Sequence, residues 1–222
     1  MRAKGLPELA ERQYGVVSVR QLETLFDYSS SAVNREVAAG RFLRLHRGVY
    51  AVGHRHISDH GRCLAAVLAC GPDALLSHRS AAWLWGVWRY RPAPVHVTSP
   101  TPRKPRQPIR LHHSRILTPA DRAVEDNIPV TALPRTLLDC AAEFRLSQLR
   151  RMLERSEELR VFDLVAIEEL LGRSGRHKGK RPLRQAIALY QPVPFTRSGF
   201  ETRFFEAVLA AGLPRPATNF VE

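Results

Sequence analysis

The sequence predicts an α+β fold: an N-terminal winged helix-turn-helix followed by a mainly helical α+β domain with a small sheet. Three observations predict it. Between residues 6 and 52 a short helix, two capped helices and a basic hairpin follow one another in order. Beyond them, amphipathic helical stretches are interrupted by a few short strand-like runs. The 222 residues also carry 34 Lys+Arg against 21 Asp+Glu, a formal charge of +13. Such an excess favours a polyanionic partner, of which nucleic acid is the commonest soluble one.

Leu6, Leu9, Ala10 and Tyr14 stand at helical spacing, and Gly15 stops that helix. Val16 and Val17 read as a brief strand. Ser18 and Gln21 form an S-x-x-Q capping box in which hydroxyl and amide satisfy each other's free helix-start N–H groups. The helix they open is expected to bury Leu22, Leu25 and Phe26. A turn at Asp27 and Tyr28 leads to Ser29, a second N-cap, and a helix through Ala39 that Gly40 closes. Val33 and Val37 point inward, leaving Ser30, Ser31, Asn34 and Arg35 outward near the helix start. In helix-turn-helix proteins that half enters the major groove, where short polar groups, one Asn and one Arg suit base edges and phosphates. Residues 41–46 alternate as a strand, Arg47 and Gly48 turn, and Val49 to Val52 return. Arg41, Arg44 and Arg47 make this hairpin basic.

Further on, residues 58–70 read as a helix with Leu64, Val67 and Leu68 inward, and Ser77 is expected to cap another. Val95–Thr98 and Ile109–His113 read as strands flanking a Pro-rich basic loop with Arg103, Lys104 and Arg106. Residues 128–131 are extended, 133–140 open a helix, 146–171 hold two amphipathic helices, and 182–190 another. The basic surplus is uneven: residues 61–120 contribute +8, residues 1–60 only +3. A second basic stretch, residues 173–181, and the Pro-rich loop each read as either a phosphate contact or a solvated linker.

Candidate chemical sites are few. His54, His56, His60 and Cys63 fit no closed zinc spacing. Ser77 to Ser80 (S-H-R-S) lacks the glycine elbow and acid of a nucleophile, and reads as a polar helix start. Arg135 and Asp139 read as an i,i+4 ion pair. Cys63, Cys70 and Cys140 read as buried thiols of a reducing compartment. No Walker loop or dinucleotide fingerprint is present. Catalytic residues, metal ligands and cofactors are therefore expected to be none. Without a signal-like or membrane-length apolar run, a soluble cytoplasmic protein is expected.

Three motifs resemble one family: residues 41–50 (R-F-L-R-L-H-R-G-V-Y), 77–83 (S-H-R-S-A-A-W) and 128–139 (I-P-V-T-A-L-P-R-T-L-L-D). In this order they resemble AbiEi-type antitoxins, transcriptional regulators of type IV toxin–antitoxin systems. The resemblance spans residues 5 to 190. It implies a winged helix that binds promoter or operator double-stranded DNA. It also implies a second domain that opposes a nucleotidyltransferase toxin. The family's DNA-contacting role falls on Ser30, Ser31, Asn34, Arg35, Arg44 and Arg47. With the charge pattern, the full expected DNA set adds Arg41, Arg103, Lys104 and Arg106. The domains implied are residues 1–55, 56–190 and 191–222, with the oligomeric state open between monomer and dimer.

The last segment departs from that picture. Residues 198–206 and 211–219 resemble the opening helix of very-short-patch-repair-like endonucleases with a PD-(D/E)XK core, Glu201 matching the helix acid. The strands that would complete a metal site do not follow before Glu222. The alternative reading, a DNA-targeted metal-dependent endonuclease with an incomplete core, rests on this segment alone.

Overall fold

The computed structural model describes residues 5–53, 56–91, 93–102 and 108–190. Arg103, Lys104, Arg106 and the endonuclease-like segment, Glu201 included, lie outside the described residues.

The predicted α+β class is what the chain adopts. The N-terminal unit consists of α1 (Leu6–Arg12), β1 (Val16–Ser18), α2 (Val19–Phe26), α3 (Ser30–Ala38), β2 (Phe42–His46) and β3 (Val49–Val52). Its strands form an antiparallel sheet in the order β1-β3-β2, with Val17 opposite Tyr50 and Leu43 opposite Ala51. The capping box at the head of α2 is present: the Gln21 amide N–H donates to Ser18 Oγ at 3.3 Å, and the Ser18 N–H donates to Gln21 Oε1 at 2.9 Å. Ser18→Ala removes one side of this exchange. It is expected to cost about 1 kcal/mol, read as a lower urea midpoint with an unchanged slope. Ser29 caps α3 through the Ala32 N–H at 3.2 Å, and Gly40 closes it at φ +72°.

One expectation fails in α2. Leu22 is fully buried, but Leu25 is 63% exposed. Val19, Leu22 and Phe26 supply the stripe that packs against α1 and α3, and Leu25 falls on its flank.

Val16 and Val17 are both 0% exposed, so this sheet is covered on both faces. Successive strand residues point to opposite sides. Val17, Phe42 and Tyr50 pack with Leu6, Ala10, Leu22 and Val33 of the three helices. Val16 and Val49 pack with Cys63, Leu64 and Val67 of α4 (Asp59–Cys70). Gly61 allows this approach: a Cβ there would lie 2.7 Å from Ile57 Cγ2 and 3.0 Å from the Tyr14 carbonyl oxygen. Tyr14 also donates its hydroxyl to the Asp126 carbonyl at 2.7 Å.

The remainder is built on a five-stranded sheet. Its strands are β4 (Leu75–Leu76), β5 (Val95–Ser99), β6 (Ile109–His113), β7 (Arg122–Glu125) and β8 (Ile128–Thr131), in the order β6-β5-β4-β8-β7. The pairs β5/β6 and β4/β8 are parallel; β4/β5 and β7/β8 are antiparallel. Among the described residues α4 packs on this sheet, and five further helices complete the unit: α5 (His78–Leu84), α6 (Leu133–Ala141), α7 (Leu146–Glu158), α8 (Leu164–Arg173) and α9 (Lys180–Ala188). Leu137, Leu149, Met152, Ile167 and Leu183 interlock the last four in a second core. Trp85 ties α5 to β8 by donating Nε1–H to the Thr131 carbonyl at 2.9 Å. All three cysteines are buried free thiols.

Two readings of polar segments need correction. Ser77 holds the N-cap position of α5, but its hydroxyl caps nothing. It contacts His78 Nδ1 at 3.0 Å and accepts from Thr98 Oγ1 at 2.7 Å, because β5 places a competing donor under it. The basic stretch at 173–181 is not a free loop either. Arg173 ends α8 and reaches Asp121 with two hydrogen bonds of 3.0 and 2.8 Å, while Lys180 and Arg181 already belong to α9. Burial alone would raise the Asp121 carboxyl. The Arg173 guanidinium and the Thr118 amide and hydroxyl outweigh that and hold it below the usual carboxylate range.

Candidate nucleic-acid interface

The helix-turn-helix is set by backbone geometry as much as by packing. Asp27 ends α2 at φ +52°, a left-handed C-cap that redirects the chain within three residues into the Ser29 cap of α3. Val33 then anchors α3 at 2% exposure. As a result Ser30, Ser31, Asn34 and Arg35 are all exposed on the outer side of the first two turns. The face carries small hydroxyls that permit close approach, one amide and one guanidinium.

The wing follows directly. Arg47 and Gly48 make the turn between β2 and β3, with Gly48 at φ +75°. Arg44 and Arg47 are exposed, and Arg44 lies 6.0 Å from the Tyr50 ring centroid, where the ring face steadies the guanidinium. Neither Arg35, Arg44 nor Arg47 forms an ion pair among the described residues. Arg41 differs from them. It grips Glu36 through two hydrogen bonds of 2.5 and 3.0 Å, which lower the Glu36 carboxyl. Releasing Arg41 to phosphate would leave Glu36 facing a polyanion.

Positive charge in the second quarter of the chain is more committed than composition suggests. Arg79 and Arg110 both approach Glu143, at 3.4 and 3.7 Å, and Arg91 pairs with Asp59 at 2.7 Å. Of the histidine and cysteine set near residue 60, His60 faces Asp126 at 3.4 Å. Burial pushes the Cys63 thiol up to about 12, away from the thiolate a metal needs. Among the described residues, His56, His60 and Cys63 form no ligand cluster.

The two other motifs converge elsewhere, on a buried polar cluster centred on Asp139 in the second half of α6. Arg135 Nε donates to Asp139 Oδ1 at 2.9 Å, the expected i,i+4 pair, with Asp139 fully buried. His177 Nε2 stands 3.3 Å from the same oxygen, and His78 Nδ1 stands 3.9 Å from Oδ2. Desolvation would raise the Asp139 carboxyl, but His177, His78 and Arg135 bring it below the usual range. Sequence reasoning found the Arg135–Asp139 pair. It could not find His177, which arrives from the α8–α9 connection.

These features define a winged helix-turn-helix whose sheet rests on a second α/β unit. Residues 6–53 match the family model described as "Transcriptional regulator, AbiEi antitoxin", which supports a transcriptional-regulator or antitoxin role. No curated protein matches the chain. The crystal structure of the RV2827C protein from Mycobacterium tuberculosis has a similar fold. Its TM-score is 0.51 at 18% identity, over 81% of this chain and 75% of that chain. No helix among the described residues is long and apolar enough to cross a membrane.

Proposed function

We propose that the chain is a cytoplasmic, sequence-specific repressor of its own promoter and the antitoxin of a type IV toxin–antitoxin system. One observation carries the DNA-binding reading. The exposed Ser30, Ser31, Asn34 and Arg35 of a doubly capped helix-turn-helix stand beside a wing bearing Arg44 and Arg47. The match of residues 6–53 to the antitoxin-regulator family supports the regulatory assignment. In this reading α3 reads bases in the major groove while the wing holds phosphates. The part after residue 55 opposes a nucleotidyltransferase toxin and performs no catalysis itself.

Gel shifts on the DNA upstream of the gene test it. Arg35→Ala should weaken specific binding by about 1–3 kcal/mol, whereas Arg44→Ala, on the phosphate-holding wing, should weaken binding to all sequences. Arg47→Ala should weaken specific and random DNA alike and reduce the salt slope by about 1. Equal affinity for upstream and random DNA would remove the repressor reading. Failure to relieve growth arrest by a neighbouring nucleotidyltransferase would remove the antitoxin one.

A further inference from the structure

Strands β5 and β6 and the start of α5 bring together three histidines that are distant in the chain. His96 Nδ1 lies 3.1 Å from His112 Nε2 across the parallel pair. His78 stacks on His112 with ring centroids 3.6 Å apart and planes 15° apart. One nitrogen from each ring lies within 4.8 Å of the other two. We propose that His78, His96 and His112 form a binding site for a divalent transition-metal ion, with Zn²⁺ the best fit.

The donor set selects the class of ion. Three imidazoles without a thiolate suit zinc and its first-row neighbours, not Mg²⁺ or Ca²⁺, which take oxygen ligands. Zn–N bonds of about 2.0–2.1 Å in a tetrahedron place the nitrogens about 3.4 Å apart. His96 and His112 nearly meet that separation, and the His78 ring must tilt off its stack on His112 to turn its nitrogen toward the same ion. A fourth position is left for water or another ligand, the pattern of open zinc sites.

The surroundings are those of a metal site's outer shell. Asp139 Oδ2 is buried and has no hydrogen-bond partner among the described residues. It faces His78 Nδ1 at 3.9 Å. With a metal on Nε2, the Nδ1–H must be donated, and this oxygen or Ser77 Oγ receives it. That is the carboxylate–histidine–metal arrangement that fixes tautomer and ring orientation.

His78 also adopts φ +52°. A left-handed non-glycine residue is held against backbone strain, and here it carries the imidazole over His112. Imidazole binds a metal in its neutral form, so loading of the site should release protons as the pH falls. The nearby arginines do not bar a cation. Arg79 and Arg110 are paired with Glu143, and Arg135 with Asp139.

The test uses the full chain without a polyhistidine tag, stripped with a chelator and titrated with Zn²⁺ by calorimetry. One equivalent should bind, and X-ray absorption of the loaded protein should show three imidazole ligands. Zn²⁺ should raise the Tm reversibly. His112→Gln should abolish stoichiometric binding, and His60→Gln should leave it intact. Should His112→Gln not fold by circular dichroism, the wild-type absorption spectrum decides alone. Absence of stoichiometric binding, fewer than three imidazoles at the metal, or full binding by folded His112→Gln overturns the proposal.

Discussion

Replacing Asp139 by alanine is expected to destabilise the protein by about 3–5 kcal/mol, the cost of removing one partner of a buried ion pair. Asp139 is 0% exposed and the Arg135 side chain only 9%. Among the described residues the guanidinium would keep one long contact, 3.4 Å to the Ile116 carbonyl. His177 would also lose its acceptor. The loss is larger than the pair's own net worth, because an uncompensated cation stays in a low-dielectric interior. Two companion variants separate these contributions. Asp139→Asn keeps an acceptor oxygen and should fall between wild type and Asp139→Ala. Arg135→Met combined with Asp139→Leu removes both charges and should recover much of the loss. Urea unfolding of the full chain reads all three. A loss under about 1 kcal/mol for Asp139→Ala would show that the pair behaves like an exposed one.

Gly179→Ala is the second large effect. Gly179 lies at φ −75°, so alanine is acceptable to the backbone, and the obstacle is space. Its Cβ would lie 2.0 Å from the Leu138 carbonyl oxygen and 3.2 Å from the Ala142 nitrogen. Both are backbone atoms of α6 and its C-terminus and cannot rotate away, so α9 must shift bodily. Overpacking of this kind costs about 1–3 kcal/mol and sometimes more, and the upper end is expected here. The shift has a particular victim. The Gly179 N–H donates to His177 Nδ1 at 3.1 Å, leaving Nε2–H to point at Asp139. Moving α9 should therefore detach His177, and Gly179→Ala combined with His177→Ala should lose less than the sum of the two separate changes. Additive losses would show that Gly179 acts only through helix packing.

The sequence was most legible where local rules govern. Ser18 with Gln21, Ser29 before α3, and Gly40 and Gly48 at turns are all fixed by neighbours a few residues away. The outward face of α3 followed from the spacing of Val33 and Val37. Reading failed where distant segments compete for the same atoms. Ser77 looked like a cap, but Thr98 of β5 claims its hydroxyl. The Arg135–Asp139 spacing fitted a surface ion pair equally well, and only the arrival of His78 and His177 reveals its burial. His96 and His112 carry no signal at all as single residues in strands, since their meeting depends on a parallel pairing that alternation does not encode. Leu25 marks the opposite limit: an apolar residue near the buried stripe is still left outside when the helix is only eight residues long.

The two-faced N-terminal sheet also limits how freely the reading head could be transplanted. Val16 and Val49 complete the core that holds Cys63, Leu64 and Val67. Cut away from α4, this head would present a greasy underside to water and be prone to self-association. Grafted onto another protein, it would need a matching replacement for that helix. If α3 reads DNA as proposed, changes of target preference are better made on its outer residues than by exchanging the whole head. The same seam gives α4 a direct mechanical hold on the N-terminal sheet, so that anything tilting this helix also tilts the face that carries α3 and the wing.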